Sequence, residues 1–397
     1  MSRVARATYL ATLALGLSAS LVPPVEGAEW SLAPTFGWTL DTASNRYLQP
    51  QGGEASQSTS LAASADLQRA TETTALSFSP QLHWQLFDKE AYNRIFERDF
   101  NASASWTGER ADASLTAEDA DQSALTTELT ETGVLSTNLH QRLDQASLAG
   151  SYNTSERYTT LAHLGDSNVS YYGDAAEGAY LDLLQGYRYP TALLGERYRL
   201  SDQADLTVSV YRNELLARLA GENTYTTGAQ LEYQHTFSER DQVDASIGAA
   251  RVNGQTGTQT STTASLNASR TYALGTLALS YSRALVPYGT AVLVDRQQAA
   301  LSANRGLTEK VQLTASANWV RNGAPIGVSP AGPAIVQVQT YESVQLGINW
   351  QLAETWKLGA ELDAAQTRTF GLLDYPVHNW RAALTLAWTP HRIEKPY

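Results

Sequence analysis

Side chains able to do acid–base or nucleophilic chemistry are thinly spread along this chain. Its six histidines, His83, His140, His163, His235, His378 and His391, fall in separate stretches. His163 with Asp166 and Ser167 has the residue types of a hydrolytic triad, and His140 lies near Asp144. A triad needs its members on facing strands, which spacing alone does not give, so each is read first as a solvated imidazole at a loop or rim. No HExxH, GxSxG or phosphate-binding loop occurs. Asp119, Asp121, Glu128 and Glu131 crowd one stretch, but their spacing fits no calcium cage and reads as a solvated acidic loop. No catalytic residue, cofactor or metal is expected, and the chain is not read as an enzyme.

Composition narrows the class. The formal net charge is −12, with 28 Lys and Arg against 40 Asp and Glu, so no basic face is offered to phosphate and nucleic acid is not an expected partner. There is no cysteine, hence no disulfide, thiolate metal site or lipidated N-terminal cysteine. Only 17% of residues are charged. Polarity comes instead from Ser, Thr, Gln, Asn and Tyr, unlike a disordered chain. Tyr (20) and Trp (9) outnumber Phe (7), a bias suited to sites with hydrocarbon on one side and water on the other.

The first 27 residues read as a signal peptide. Arg3 and Arg6 precede an apolar stretch from Tyr9 to Val22, Pro23 and Pro24 end it, and cleavage is expected after Gly27 or Ala28. Residues 28–397 then form one domain with no apolar run long enough for a membrane helix.

That domain repeats one pattern, strands of about ten residues in which apolar and polar side chains alternate. Val344, Leu346, Ile348, Trp350 and Leu352 share one face, and Gln345, Gly347, Asn349 and Gln351 the other. Short polar turns, such as Thr107–Arg110, Thr154–Arg157, Ser201–Gln203 and Ala353–Thr355, alternate with longer loops at Asp41–Ala55, Asp119–Asp144, Gly165–Leu184 and Arg321–Val338. The expected fold is therefore all-β, a transmembrane antiparallel up-and-down barrel of about eighteen strands, with sixteen to twenty allowed. A soluble propeller would show a fixed blade period, and none is found. Ser123–Leu143 alternates weakly and reads either as a strand pair or as a loop hairpin.

On this reading Trp319, Trp350, Trp356, Trp380 and Trp388 belong to aromatic girdles, with Trp380 and Trp388 at the two ends of a last strand, Asn379–Thr389. Gln230, Glu232, Gln234, Ser265, Asn267, Gln312, Asn318, Gln345, Asn349, Gln351, Lys357, Glu361 and Asp363 line the interior, where Lys357 and Arg381 add only scattered positive charge. Glu196 breaks the pattern. Alternation places it among lipid-facing residues, which calls for either a bulge that turns it inward or a position at the rim.

Two segments resemble a loosely defined family of Gram-negative outer-membrane β-barrel proteins. They are Asp121-Gln-Ser-Ala-Leu-Thr-Thr-Glu-Leu-Thr-Glu-Thr-Gly133, and Gly186-Tyr-Arg-Tyr-Pro190 followed by Ala192-Leu-Leu-Gly195 and the Ser201-Asp202 turn. The resemblance implies an envelope role linked to exopolysaccharide production or export, and brings no catalytic residues with it. The expectations are an outer-membrane location with both termini periplasmic, and lipid, the barrel-assembly machinery and polysaccharide as partners. The readings set beside export are a general diffusion porin, marked by a loop folded into the lumen within Asp119–Asp144, and a plugged barrel acting as surface binder or enzyme.

Overall fold

The structure is a computed structural model, and it describes residues 29–46, 48, 53–88, 94–128, 139–173, 184–218, 223–254, 257–326, 338–370, 373–391 and 393–396. The strands in chain order are β1 (Glu29–Ala43), β2 (Ser56–Ala70), β3 (Thr74–Phe87), β4 (Arg94–Thr107), β5 (Ala111–Ser123), β6 (Leu139–Asn153), β7 (Tyr158–Gly173), β8 (Tyr187–Ser201) and β9 (Ala204–Ala217). They continue as β10 (Asn223–Ser238), β11 (Asp241–Gly254), β12 (Gly257–Tyr272), β13 (Gly275–Tyr288), β14 (Val292–Gly306), β15 (Val311–Ile326), β16 (Val338–Gln351), β17 (Trp356–Phe370), β18 (Leu373–Trp388) and the short β19 (Ile393–Pro396). One short helix, α1 (Ala124–Thr127), follows β5.

Each strand pairs antiparallel with its neighbours in sequence, and β1 pairs with β18 from Phe36↔Trp388 to Ala43↔Arg381. The eighteen strands thus close into a barrel with no free edge around its waist. β19 carries the same seam further along β1, pairing Leu32 with Ile393 and Glu29 with Pro396. The register shifts by one residue between the two pairings, Phe36↔Trp388 and Leu32↔Ile393.

Local chemistry fixes the tight connections on one rim. Ser155, Ser201, Ser238 and Thr308 each accept, on the side-chain oxygen, a backbone N–H two residues on, at 3.3, 3.2, 3.1 and 3.2 Å. This hydroxyl turn replaces the ladder bonds that the reversal interrupts. Both described chain ends lie on this rim, because the strand number is even.

Register explains the barrel's polarity. From Tyr158 one row of paired residues climbs through Tyr198, Leu206, Tyr233, Ala245, Leu266, Tyr281 and Ala299 to Trp319. The next partner is Glu342. Eight steps at about 4.8 Å between strands and about 40° of tilt rise about 25 Å, the height of a bilayer's apolar band. Leu61, Leu164, Leu194, Val208, Ile247, Leu346 and Leu362 stand more than half exposed on the same outer face. In a soluble protein such a continuous apolar surface would be a liability.

The strands run past that belt. β7 continues to Gly173 and β5 to Ser123, so the loops are shorter than the sequence pattern suggested. β18 likewise begins at Leu373, which puts Trp380 at mid-strand rather than at its end. Within Ser123–Leu143, read as a strand pair or a loop hairpin, the chain starts as α1 and ends in β6, and residues 129–138 lie outside the described residues.

Candidate functional site

The interior is built from the alternate residues of each strand. Gln230, Glu232 and Gln234 on β10, Gln312 and Asn318 on β15, Gln345, Asn349 and Gln351 on β16, and Lys357, Glu361 and Asp363 on β17 interleave with the exposed Leu231, Tyr233, Leu313, Leu346, Ile348, Trp350 and Leu362. They therefore occupy the face opposite the apolar one. Gln345 accepts from Ser316 Oγ at 3.1 Å, and Arg381 Nη1 donates to Glu361 Oε1 at 3.1 Å. Gln351 turns instead to the rim, where its amide donates to the carbonyls of Ala353 and Glu354.

The girdle candidates sit on the outer face. Trp350, Trp356, Trp380 and Trp388 are exposed, and Trp319 is partly so. Trp388 stacks between Phe36 and Trp356, with centroids 5.6 and 6.2 Å away, on the rim of short turns.

A denser set of interior acids lies on β1 to β5, which the sequence reading passed over. Asp41 is buried among Arg46, Ser58 and Gln85. Glu97 meets His83 Nδ1 at 3.0 Å and also accepts the Ser123 backbone N–H. Asp99 and Glu118 are diagonal neighbours, since Asp99 pairs with Ala120 and Asn101 with Glu118. With Glu361 and Asp363 they form an acidic arc from β17 round to β5. The signal was present as acids at alternate, polar-face positions, Glu97 and Asp99 in β4 and Asp66 in β2 among Ser60, Ser64 and Gln68 for example.

Described parts of three connections pack inside the mouth away from the short turns. After β5 the chain turns inward as α1, with Ser123 Oγ accepting the Leu125 N–H at 3.3 Å. Glu128 behind it is wholly buried and accepts from Tyr171 Oη at 2.8 Å and Gln141 Nε2 at 3.0 Å. Ala124 packs with Leu139, Leu184 and the Tyr171 ring. In the first loop, Leu48 packs against Val320, Tyr341 and Ala365 on β15 to β17.

The third segment reaches furthest. The β13–β14 tip carries Ala291 and Leu293 into a cluster with Val169, Tyr187, Leu215 and Val252, which belong to β7, β8, β9 and β11. β14 thereby touches β9, five strands away, and the Gln185 N–H donates to the Gly289 carbonyl at 2.8 Å. Leu48 and Ala291 are the two non-glycine residues with positive φ among those described, at 45° and 57°. Each costs about 1–2 kcal/mol of left-handed strain, and each is buried by apolar contacts that hold it there.

The remaining candidates are separated by alternation. His163 belongs to the inner face and Asp166 to the outer, where Asp166 binds Arg188 at 2.8 Å, so no triad forms. His140 meets Asp121 at 3.3 Å and stacks on Tyr172 rather than joining Asp144. Asp119 and Asp121 take part in an outward network with Arg98 and Arg142, while Glu128 is buried inside, so these three do not converge; Glu131 lies outside the described residues.

Glu196 points outward, with no bulge at its pairing to Val208, and accepts from Thr160 Oγ1 at 2.8 Å. It lies two residues from Tyr198, which packs on Tyr158 at the short-turn rim with centroids 4.9 Å apart. The rim position is the arrangement seen.

No family model matches this chain, and no curated protein matches it. Solved structures similar to it include OccAB4 of Acinetobacter baumannii, at 9% identity over 93% of this chain and 99% of that one, with a TM-score of 0.46. OccK2 (OpdF) of Pseudomonas aeruginosa is similar at 13% identity over 91% and 98%, TM-score 0.46, and is also known in complex with glucuronate. The FrpB iron transporter of Neisseria meningitidis is similar at 11% identity over 86% and 62%, TM-score 0.47.

Proposed function

We propose that the chain is an outer-membrane diffusion channel for small hydrated solutes, with a preference for cations. The observation that carries the reading is the reversed polarity of the closed barrel, apolar and aromatic outside, amide, hydroxyl and carboxylate within. An eighteen-stranded barrel is too wide for its own side chains to fill, and its polar interior then holds water. The outer face asks for a bilayer, and on this reading the rim of short turns, with both described ends, faces the periplasm.

The acidic arc supports cation preference, because Asp99 and Glu118 face the interior without an ion pair among the described residues, while Arg46 and Arg381 are each held by a carboxylate. The in-folded α1 and β13–β14 tip narrow one mouth, as expected of a porin-like constriction. That favours small solutes over the exopolysaccharide chain which the family resemblance implies. No step of chemistry is assigned to the protein.

The test is single-channel conductance of the refolded protein in a planar bilayer with a salt gradient across it. A steady current whose reversal potential favours the cation supports the reading. Correctly folded protein that carries no current under any condition overturns it.

A further inference from the structure

The β13–β14 hairpin leaves the barrel wall at a defined place. β12 pairs with β13 from Tyr272↔Gly275 only as far as Ala264↔Arg283. Beyond that, Thr260–Thr263 pair with β11 alone, and Ala284–Pro287 pair with β14 alone. The two stretches face each other across a seam with no ladder between them, because β13 has leaned into the lumen.

A hinge marks the departure point. Arg283, the last β13 residue laddered to β12, holds Asp295 through both Nε (3.1 Å) and Nη2 (2.7 Å). Asp295 is also the residue skipped where the β14–β15 register shifts between Val294 and Arg296. Strand irregularities of this kind bend a sheet locally.

We infer that this hairpin is a two-position gate whose open position is the vacant β12 edge. Continuing the existing register sets Thr263 opposite Ala284, Thr262 opposite Leu285 and Ser261 opposite Val286, with Pro287, which needs no acceptor, closing the added ladder. In the closed position the tip is held by apolar contacts of Ala291 and Leu293 and by the Gln185–Gly289 bond. In the open position those contacts are exchanged for backbone hydrogen bonds to β12, and the mouth widens. Both positions satisfy the hairpin, which is what a bistable element requires. The inference rests on the channel reading and adds the moving part to it.

The chain has no cysteine, so paired cysteines report each position cleanly. Gln185→Cys with Gly289→Cys bridges the closed position. Ser261→Cys with Val286→Cys bridges the open one. Each variant is checked for heat-modifiable barrel migration, then recorded in planar bilayers oxidised and after reduction. The expected result is one fixed low conductance for the first pair and one fixed higher conductance for the second. Reduction should restore switching between the two levels. A folded barrel in which the second pair does not cross-link, or cross-links with no change in current, overturns the gate while leaving the channel reading intact. Absence of current in wild type and in both locked forms overturns both.

Discussion

Arg283 and Asp295 form a two-point ion pair between β13 and β14 at the level where β13 parts from β12. Geometry of that kind is stronger than a single contact, and the pair is partly shielded, so about 1 kcal/mol is a reasonable worth. Arg283→Ala should loosen the hinge and change the ratio of open to closed dwell times roughly fivefold, the equivalent of that energy. Asp295→Ala should do the same, and the double variant should add little to either. Single-channel dwell-time histograms read all three. Additive effects would mean the two residues act apart.

The other in-folded segment depends on a different bond. Tyr171 gives its hydroxyl to the buried Glu128, while its ring packs on the Ala124 cluster. Tyr171→Phe keeps the ring and removes one of the donors to a buried carboxylate oxygen. The loss expected is about 1–3 kcal/mol, seen as a lower urea midpoint for refolded protein. Gln141 still donates to the same oxygen at 3.0 Å, so Gln141→Ala combined with Tyr171→Phe should lose more than either alone.

Selectivity should follow the acidic arc. Asp99→Asn and Glu118→Gln preserve shape and remove charge at neighbouring interior positions. Together they should lower the cation-to-anion permeability ratio by about a factor of two, measured from reversal potentials in a salt gradient. Conductance itself should change little. An unchanged ratio would place the selectivity elsewhere in the lumen.

Much of the barrel was legible because its two faces differ in chemistry. In β16 the pairs Leu346–Gln345 and Ile348–Asn349 announce inside and outside residue by residue. The in-folded tip was not read, and its signal is of the opposite kind. Ala284-Leu-Val-Pro-Tyr288 and Val292-Leu-Val294 are apolar at consecutive positions, so alternation fails where the chain is covered on both sides. The interior acids were missed for another reason: an Asp among serines looks like any wet strand until register places Asp99 beside Glu118. The His163–Asp166 pairing failed because an odd spacing puts the two on opposite faces.

The sidedness of the wall makes the sharpest stability test, because two adjacent residues should respond in opposite ways. Leu231 is exposed on the outer face between Val208 and Ile247, roughly midway up the apolar belt. Gln230, one residue earlier, belongs to the interior. Leu231→Arg places a guanidinium against lipid tails and should cost about 2–4 kcal/mol, since little water reaches that depth. Gln230→Arg puts the same group in a watery lumen beside Glu232, where stability should hold and the cation preference should fall. Urea unfolding from lipid bilayers measures the first effect, and reversal potential the second. Equal costs at both positions would mean that the outer face does not meet a bilayer. A large cost at Gln230 alone would mean that the interior is packed rather than filled with water, and the channel reading would fall with it.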